Sequence, residues 1–159
     1  MKAKLILTGI AGFVLGVLLT GIIAISAAPG MMMNENESNY SFYETVEIIQ
    51  AEAIDAGWKV PAVHNIRNSV ANGGFDVAPV TVIELCKVEL AGQILSEDES
   101  RIVSSMMPCR VAVYEDEEGR VIVSRMNTDL VSRIFGGNVE TIMADATAET
   151  EQIVGSVIN

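Results

Sequence analysis

Residues 109–124, CRVAVYEDEEGRVIVS, decide how the second half of this chain folds. Two segments of alternating apolar and polar residues flank the charged sequence Glu115-Asp116-Glu117-Glu118-Gly119. Such alternation is the signature of a half-buried strand, and the glycine stands where a tight turn needs a positive φ. The pattern therefore predicts an antiparallel hairpin with strands at residues 109–114 and 120–124.

The sequence before the hairpin predicts two more strands. Residues 79–86 are rich in β-branched side chains and indicate a strand that ends in Cys86. Residues 58–62 alternate in the same way, and Pro61 limits them to a sheet edge because proline cannot donate to the ladder. We expect His64 to close this edge strand.

Helices are predicted on both sides of these strands. Ser41 and Glu44 have the spacing of a capping box and predict a helix over residues 42–56. Further helices are predicted at residues 66–71, at residues 90–95 and at the C-terminus, where Asn138 is the expected cap, whereas residues 96–105 are predicted to form a loop. Together these elements predict an α+β fold: a small antiparallel sheet packed with helices.

The N-terminus differs from the rest of the chain in hydropathy. Residues 5–28 form a run of 24 without a charged side chain. A helix of this length spans about 36 Å, more than the roughly 30 Å of a hydrocarbon core. Lys2 and Lys4 precede the run, and basic residues tend to remain in the cytoplasm. We expect residues 1–28 to be a transmembrane anchor, residues 29–40 a polar linker, and residues 41–159 a domain outside the cytoplasm.

Two features of the anchor leave alternatives open. Small residues before Ala27 are compatible with a cleaved signal peptide, although the apolar regions of signal peptides are usually shorter. Gly12 and Gly16 form a small-xxx-small pattern that lets two helices approach closely, which would favour a homodimer, but glycine is also common in membrane helices.

Charge excludes one class of partner for the outer domain. All 21 acidic side chains lie at or beyond Glu35, together with 8 of the 10 basic ones, so this part carries a formal charge of −13. Nucleic-acid binding depends on Lys and Arg neutralising phosphates. We therefore expect the membrane, and no nucleic acid, among its partners.

The sequence lacks the familiar signatures of enzymes. His64 is the single histidine, and there is no nucleophile elbow, phosphate-binding loop, His-Glu-x-x-His or Cys-x-x-Cys motif. The composition thus favours a non-enzymatic function, with no catalytic residue assigned.

The residues best suited to carry chemistry are Cys86 and Cys109, which are separated by 22 residues. If their two strands are neighbours, both sulfurs lie at one edge of the sheet. Three interpretations are open: small buried hydrophobes, a disulfide closing a 24-residue loop, or soft ligands for Cu(I) or haem iron. In the third interpretation the additional ligands would come from His64, Met106, Met107 or Met126.

Residues 85–126 resemble the bacterial and archaeal family called domain of unknown function 302. That family has a Cys ending one strand and a Pro-Cys opening a hairpin with Val-x-Val and a turn glycine. The matching residues here are Cys86, Leu90-Ala91, Leu95, Met107-Pro108-Cys109, Val111, Val113, Gly119, Val121 and Val123. The resemblance departs at Lys87-Val88, where the family usually has Asn-Pro.

The resemblance covers residues 43–135 and leaves the C-terminal helix as an extension. It implies a compact α+β domain with a TATA-binding-protein-like fold, often paired as a dimer, and it implies no activity.

Our functional hypothesis from the sequence is a membrane-tethered module that binds a small ligand or a metal cofactor, copper or haem. The candidate ligand or redox residues are Cys86, Cys109, His64 and Met107, and the metal ligands among them are Cys86, Cys109 and His64. The alternatives are a structural or protein-interaction module with buried or disulfide-bonded cysteines, and a thiol redox protein. The last requires a cysteine with a lowered pKa.

Overall fold

The computed structural model describes the backbone of residues 2–158 and the side chains of residue 6 and residues 8–158. It divides between Met32 and Met33 into two compact units. The first unit contains helix α1 (Lys2–Met32), within which Thr8–Met32 is long and apolar enough to cross a membrane, judged by length and composition alone. The helix continues four residues beyond the predicted anchor, through Pro29.

The second unit is built on one five-stranded sheet. Its strands are β1 (Met33–Glu37), β2 (Val63–Asn65), β3 (Val80–Leu85), β4 (Cys109–Glu115) and β5 (Val121–Met126). Their order in the sheet is β1-β5-β4-β3-β2, and every neighbouring pair is antiparallel. The predicted α+β class with a small antiparallel sheet is confirmed.

The helices of this unit lie between the strands and after the last strand in the chain. They are α2 (Phe42–Asp55), α3 (Ile66–Ala71), α4 (Val88–Leu95), α5 (Thr128–Ser132) and α6 (Gly137–Gly155), with a 3₁₀ helix at Glu99–Met106 between α4 and β4. The predicted capping box opens α2, since the Glu44 carboxylate accepts hydrogen bonds from the backbone N–H and the hydroxyl of Ser41.

The core lies on the face of the sheet that α2 and α6 cover. The hairpin of β4 and β5 turns at Gly119, whose φ is +76°, and it buries Val111, Val113 and Val123 completely. Full burial of such a side chain contributes roughly 1.5–3 kcal/mol. The same core contains Ile83 and Leu85 from β3, Ile49 and Ala53 from α2, and Ile153 and Val154 from α6.

Part of the segment predicted as a polar linker, residues 29–40, belongs to the sheet. Met33–Glu37 forms β1, which pairs with β5 from Met33↔Met126 to Glu37↔Ile122. Its sequence, MNENE, has no apolar alternation because it is an edge strand whose side chains stay largely outside the core. Pairing with β5 makes this segment a strand, although its composition does not predict one.

Three other local predictions need correction. The predicted edge strand forms only at its end: β2 is Val63–Asn65 and contains His64. Of residues 58–62, Lys59 makes a single bridge to Cys86, and the carbonyl of Ala62 accepts a hydrogen bond from the N–H of Glu84. The predicted loop at 96–105 largely forms the 3₁₀ helix, which buries Ser100 and Val103 with the three-residue period of that helix. The residue that caps α6 is Gly136, with φ +66°, rather than Asn138.

Candidate functional site

Cys86 and Cys109 lie at the same end of the sheet. Cys109 is the first residue of β4 and is the Cα partner of Leu85, the last residue of β3. Cys86 follows directly, and its backbone exchanges two hydrogen bonds with Lys59, at 2.8 and 2.9 Å. Antiparallel pairing of β3 and β4 therefore brings the two cysteines together, and both are free thiols in the structure.

The two thiols share the wall of a small cavity of about 30 Å³. Met106 and Met107, which lead into β4, line it as well, and Trp58 and Lys87 contribute to its rim. Its remaining walls are apolar and come from α4, α6 and the end of β3: Leu85, Leu90, Ala91, Ile94, Ile142, Met143 and Ala146. A volume of this size holds one or two atoms the size of a water molecule.

A larger, open cavity of about 350 Å³ adjoins the small one. Cys109, Met106 and Met143 line both cavities, so that they form the shared wall. Met33 and Met126 line only the larger cavity, which also contacts Arg125 and Glu151. From residue 33 onward the chain has five methionines and two cysteines, and every one of them lines at least one of these two cavities.

An ion pair between a buried arginine and a glutamate lines the larger cavity. Arg125, only 5% exposed, donates to both carboxylate oxygens of Glu151 on α6 and, over 2.8 Å, to Oδ1 of Asn36 on β1. Asn34 also donates to Glu151. The contacts connect β1, β5 and α6, and they leave the guanidinium locally neutralised.

A second polar contact borders the small cavity. The Glu149 carboxylate accepts hydrogen bonds from the indole N–H of Trp58, over 2.8 Å, and from Lys87 Nζ, over 3.0 Å. Lys87 also donates to the carbonyl of Ala56. Burial acts to raise the pKa of Glu149, but the hydrogen bonds from Lys87 and Trp58 outweigh it and hold the pKa below its ordinary value.

The Cys109 thiol is kept neutral by its surroundings. Burial raises its pKa above the ordinary value, and the neighbouring Cys86 raises it further, since two thiolates repel each other. Cys109 therefore lacks the lowered pKa of a reactive thiol.

The structure places His64 away from this cavity. It lies on β2 opposite Val82, with Nε2 3.2 Å from Oε1 of Glu84, and it does not line either cavity. Within residues 2–158, no three or more His, Cys, Asp and Glu side chains are grouped so that they could hold a metal ion. The expected set of Cys86, Cys109 and His64 is thus not assembled as three ligands, whereas Met107 does lie beside the thiols.

Sequence reasoning missed Met33 and Met143 as residues that line the cavities beside the cysteines. Met33 belonged to the predicted linker, and Met143 to the apolar face of the last helix. No spacing signal links either residue to Cys109, because their proximity comes from the order of the strands and from the packing of α6.

Comparison with known proteins agrees with this architecture. The family model described as domain of unknown function DUF302 matches residues 34–157, a longer stretch than the expected 43–135, and it includes β1 from Asn34 onward and α6. The crystal structure of an uncharacterized conserved DUF302 protein from Bacillus stearothermophilus has a TM-score of 0.71 at 18% identity, covering 79% of this chain and 97% of that chain. At this identity the likeness shows the fold alone. No curated protein matches the chain. The family match over nearly the whole second unit shows that this chain belongs to the DUF302 family.

Proposed function

We propose that the domain binds a single Cu(I) ion between Cys86 and Cys109. The observation that supports this proposal is the gathering of both cysteines and all five methionines beyond residue 32 around two adjoining cavities. Thiolate and thioether sulfur are soft ligands, which select Cu(I) over the harder ions that prefer carboxylate or water.

The geometry favours copper over the other cofactors that the sequence suggests. Haem and other organic ligands need pockets of roughly 300 Å³ or more. The cavity that both thiols line measures about 30 Å³, and the larger cavity of about 350 Å³ is lined by Cys109 but not by Cys86, so a site that uses both thiols suits a single ion. A structural zinc site takes four ligands, mainly from Cys, His and carboxylates, and no group of even three such residues exists within residues 2–158. Two thiols with Met106 or Met107 are sufficient for Cu(I).

Binding would replace protons by the metal. Each thiol that becomes a ligand releases its proton to solvent, and the ion enters and remains as Cu(I). The site would then carry one net negative charge from two thiolates and one monovalent cation. Lys87, which also lines the cavity, is paired with Glu149, so its ammonium group offsets little of that charge.

We further propose that α1 anchors this domain in a membrane with the domain outside the cytoplasm. Support comes from the length and hydropathy of Thr8–Met32 and from Lys2 and Lys4 before it. Fractionation followed by N-terminal sequencing tests the proposal. The intact N-terminus in the membrane fraction, with protease access only from outside, is the expected result, and a mature chain released into buffer that begins at Ala27 would overturn it.

Anaerobic titration of the full-length chain in detergent micelles tests copper binding. The reduced protein is titrated with Cu(I) in competition with a colorimetric Cu(I) chelator, and the emission of Trp58, the single tryptophan, is followed in parallel. We expect one tightly bound ion per chain and quenching of Trp58, because this residue lines the same cavity as the thiols.

Two variants make the titration specific. Cys86→Ser/Cys109→Ser should lose the tight site and the quenching, whereas His64→Ala should retain both because His64 lies outside the cavity. Equal binding by the wild-type chain and the double serine variant would overturn the proposal. A quantitative Cys86–Cys109 disulfide in protein isolated without reductant would also overturn it, in favour of a structural role for the cysteines.

A further inference from the structure

Two methionines lie at the exposed end of the larger cavity. Met33 on β1 and Met126 on β5 are Cα partners, so their side chains project from the same face of the sheet. The Cβ atoms of such partners are about 4.5–5.5 Å apart, which lets both thioether sulfurs reach one ion between them. The residues are 43% and 41% exposed, so that they are open to solvent while they line the cavity.

We propose that Met33 and Met126 form a receiving site for Cu(I), from which the ion passes through the larger cavity to Cys86 and Cys109. This inference rests on the proposed function and adds the route by which the thiols are loaded. Neither methionine is a ligand of the final site, because neither lines the small cavity.

The larger cavity extends round the end of the sheet. The register places Met33 and Met126 on the face opposite to Cys109 and Arg125, and residues of both faces line this cavity. The pairing of β4 with β5 ends at Val111↔Arg125, so Cys109 and Met126 lie just beyond the last pair, at the same open end of the sheet. Met106 and Met143 line both cavities and are the thioether residues available along the route from the receiving pair to the thiols. The receiving pair is exposed, whereas Met106, Cys86 and Cys109 are partly buried and Met143 is only 4% exposed.

The order of ligands makes the final transfer, from methionine to cysteine, favourable. Thioethers are neutral and hold Cu(I) weakly, whereas thiolates add charge and bind it more tightly, so exchange from methionine to cysteine runs downhill. Every step is a ligand exchange in which one Cu–S bond forms as another breaks, and copper stays monovalent. The thiol protons leave to solvent in the last step.

The net charge of the domain favours the approach of a cation. The chain from residue 33 carries 8 basic and 21 acidic side chains, a formal −13, and such a field raises the local concentration of cations. The two arginines that line the cavity are paired, Arg125 with Glu151 and Arg110 with Glu84, where Nε of Arg110 lies 3.6 Å from Oε1. Neither presents an uncompensated positive charge to the incoming ion.

Stopped-flow loading of the full-length chain separates the route from the final site. Met33→Leu/Met126→Leu removes the thioethers and conserves volume. With a Cu(I)–chelator complex as donor, we expect the loading rate to fall about tenfold, within the range by which interface variants change association rates. The equilibrium affinity and the final quenching of Trp58 should match the wild type. As a matched control, Met107→Leu should weaken the equilibrium affinity and leave the initial rate unchanged.

A second measurement detects the receiving site directly. In Cys86→Ser/Cys109→Ser carrying ¹³C-methyl methionine, Ag(I), a redox-inert analogue of Cu(I), should shift the methyl resonances of Met33 and Met126 at the lowest concentrations. The route alone would be overturned if Cu(I) binding depends on the cysteines, but the leucine variant loads at the wild-type rate and the Met33 and Met126 resonances do not move. Cu(I) binding that does not depend on Cys86 and Cys109 would instead overturn the proposed function.

Discussion

Trp58 donates its indole N–H to Oε2 of Glu149 over 2.8 Å, and Lys87 shares the same carboxylate oxygen over 3.0 Å. Trp58 is 3% exposed and packs in the main core, so its one polar atom depends on this acceptor. The contact connects α6 to the segment between α2 and β2, on the rim of the cavity that contains the thiols.

Two substitutions that remove the Glu149 carboxylate should destabilise the domain to different extents. Glu149→Gln keeps an acceptor for Trp58 and loses only a partly exposed ion pair, for which we expect about 0.5–1 kcal/mol. Glu149→Ala also leaves the indole N–H without its partner, and we expect about 1–2 kcal/mol. Urea unfolding followed by Trp58 emission measures both. The exposed Glu117→Gln is the matched control, and equal losses for Gln and Ala would contradict the role of the Trp58 contact.

The same carboxylate should make stability fall in acid. The pKa of Glu149 is below its ordinary value of 4.5, so its contribution is fully present above that value and is lost as the pH falls through the lowered pKa. The free energy of unfolding should therefore decrease less below pH 4.5 in Glu149→Gln than in the wild type. Identical pH profiles for the two chains would refute this assignment.

Arg125→Met should be among the most destabilising single substitutions of a charged residue. It leaves Asn36 and the Glu151 carboxylate without their main donor. We expect a loss of about 2–3 kcal/mol, below the usual 3–5 for fully buried pairs because Glu151 is partly exposed. Arg125→Met/Glu151→Met should recover part of the loss, since no lone charge remains. A double variant that is no more stable than the single one would argue against the pair as the cause.

Two glycines should respond to alanine in opposite directions. Gly119 has φ +76°, a conformation that strains a side chain, so Gly119→Ala should cost about 1 kcal/mol. Gly92 lies within α4 and has open space where the methyl group of an alanine would stand, so Gly92→Ala should gain about 0.5–1 kcal/mol. Thermal unfolding of both variants checks the signs. A stabilised Gly119→Ala would mean that the turn of the hairpin tolerates another conformation.

Cys109 should react slowly with alkylating reagents at neutral pH. In Cys86→Ser, where Cys109 is the single thiol, burial still raises its pKa above the ordinary 9.0. The rate with iodoacetamide should be below that of a small thiol at pH 7 and rise about tenfold per pH unit up to pH 9, as the thiolate fraction grows. Rapid, pH-independent alkylation would instead favour thiol redox chemistry.

Those parts of the fold that depend on local patterns could be predicted from the sequence. The hairpin follows from alternation around Gly119, α2 from the pairing of Ser41 with Glu44, and α3 and β3 from short segments of consistent propensity. Each of these signals lies within a few residues of the element that it specifies.

The rest depends on contacts between distant residues. The sequence of β1 predicts a linker, because only the free edge of β5 turns it into a strand. The cavity lined by both Met33 and Met143 depends on the strand order and on the packing of α6, and no local spacing in the sequence predicts either of these. The position of the cysteines could be predicted because neighbouring strands bring them to one end, but the partners of those cysteines could not.

The strands that carry Cys109 and Met33 differ in how many neighbouring strands hold their backbone. Cys109 stands on β4, which has a hydrogen-bonded neighbour on each side, whereas Met33 stands on β1, the outermost strand. Edge strands open locally at lower free energy than central ones, so amide protons of β1 should exchange with solvent long before those at the centre of β4. An ion handed from Met33 to Cys109 would thus move from an edge strand to a strand that is held by a neighbour on each side along most of its length.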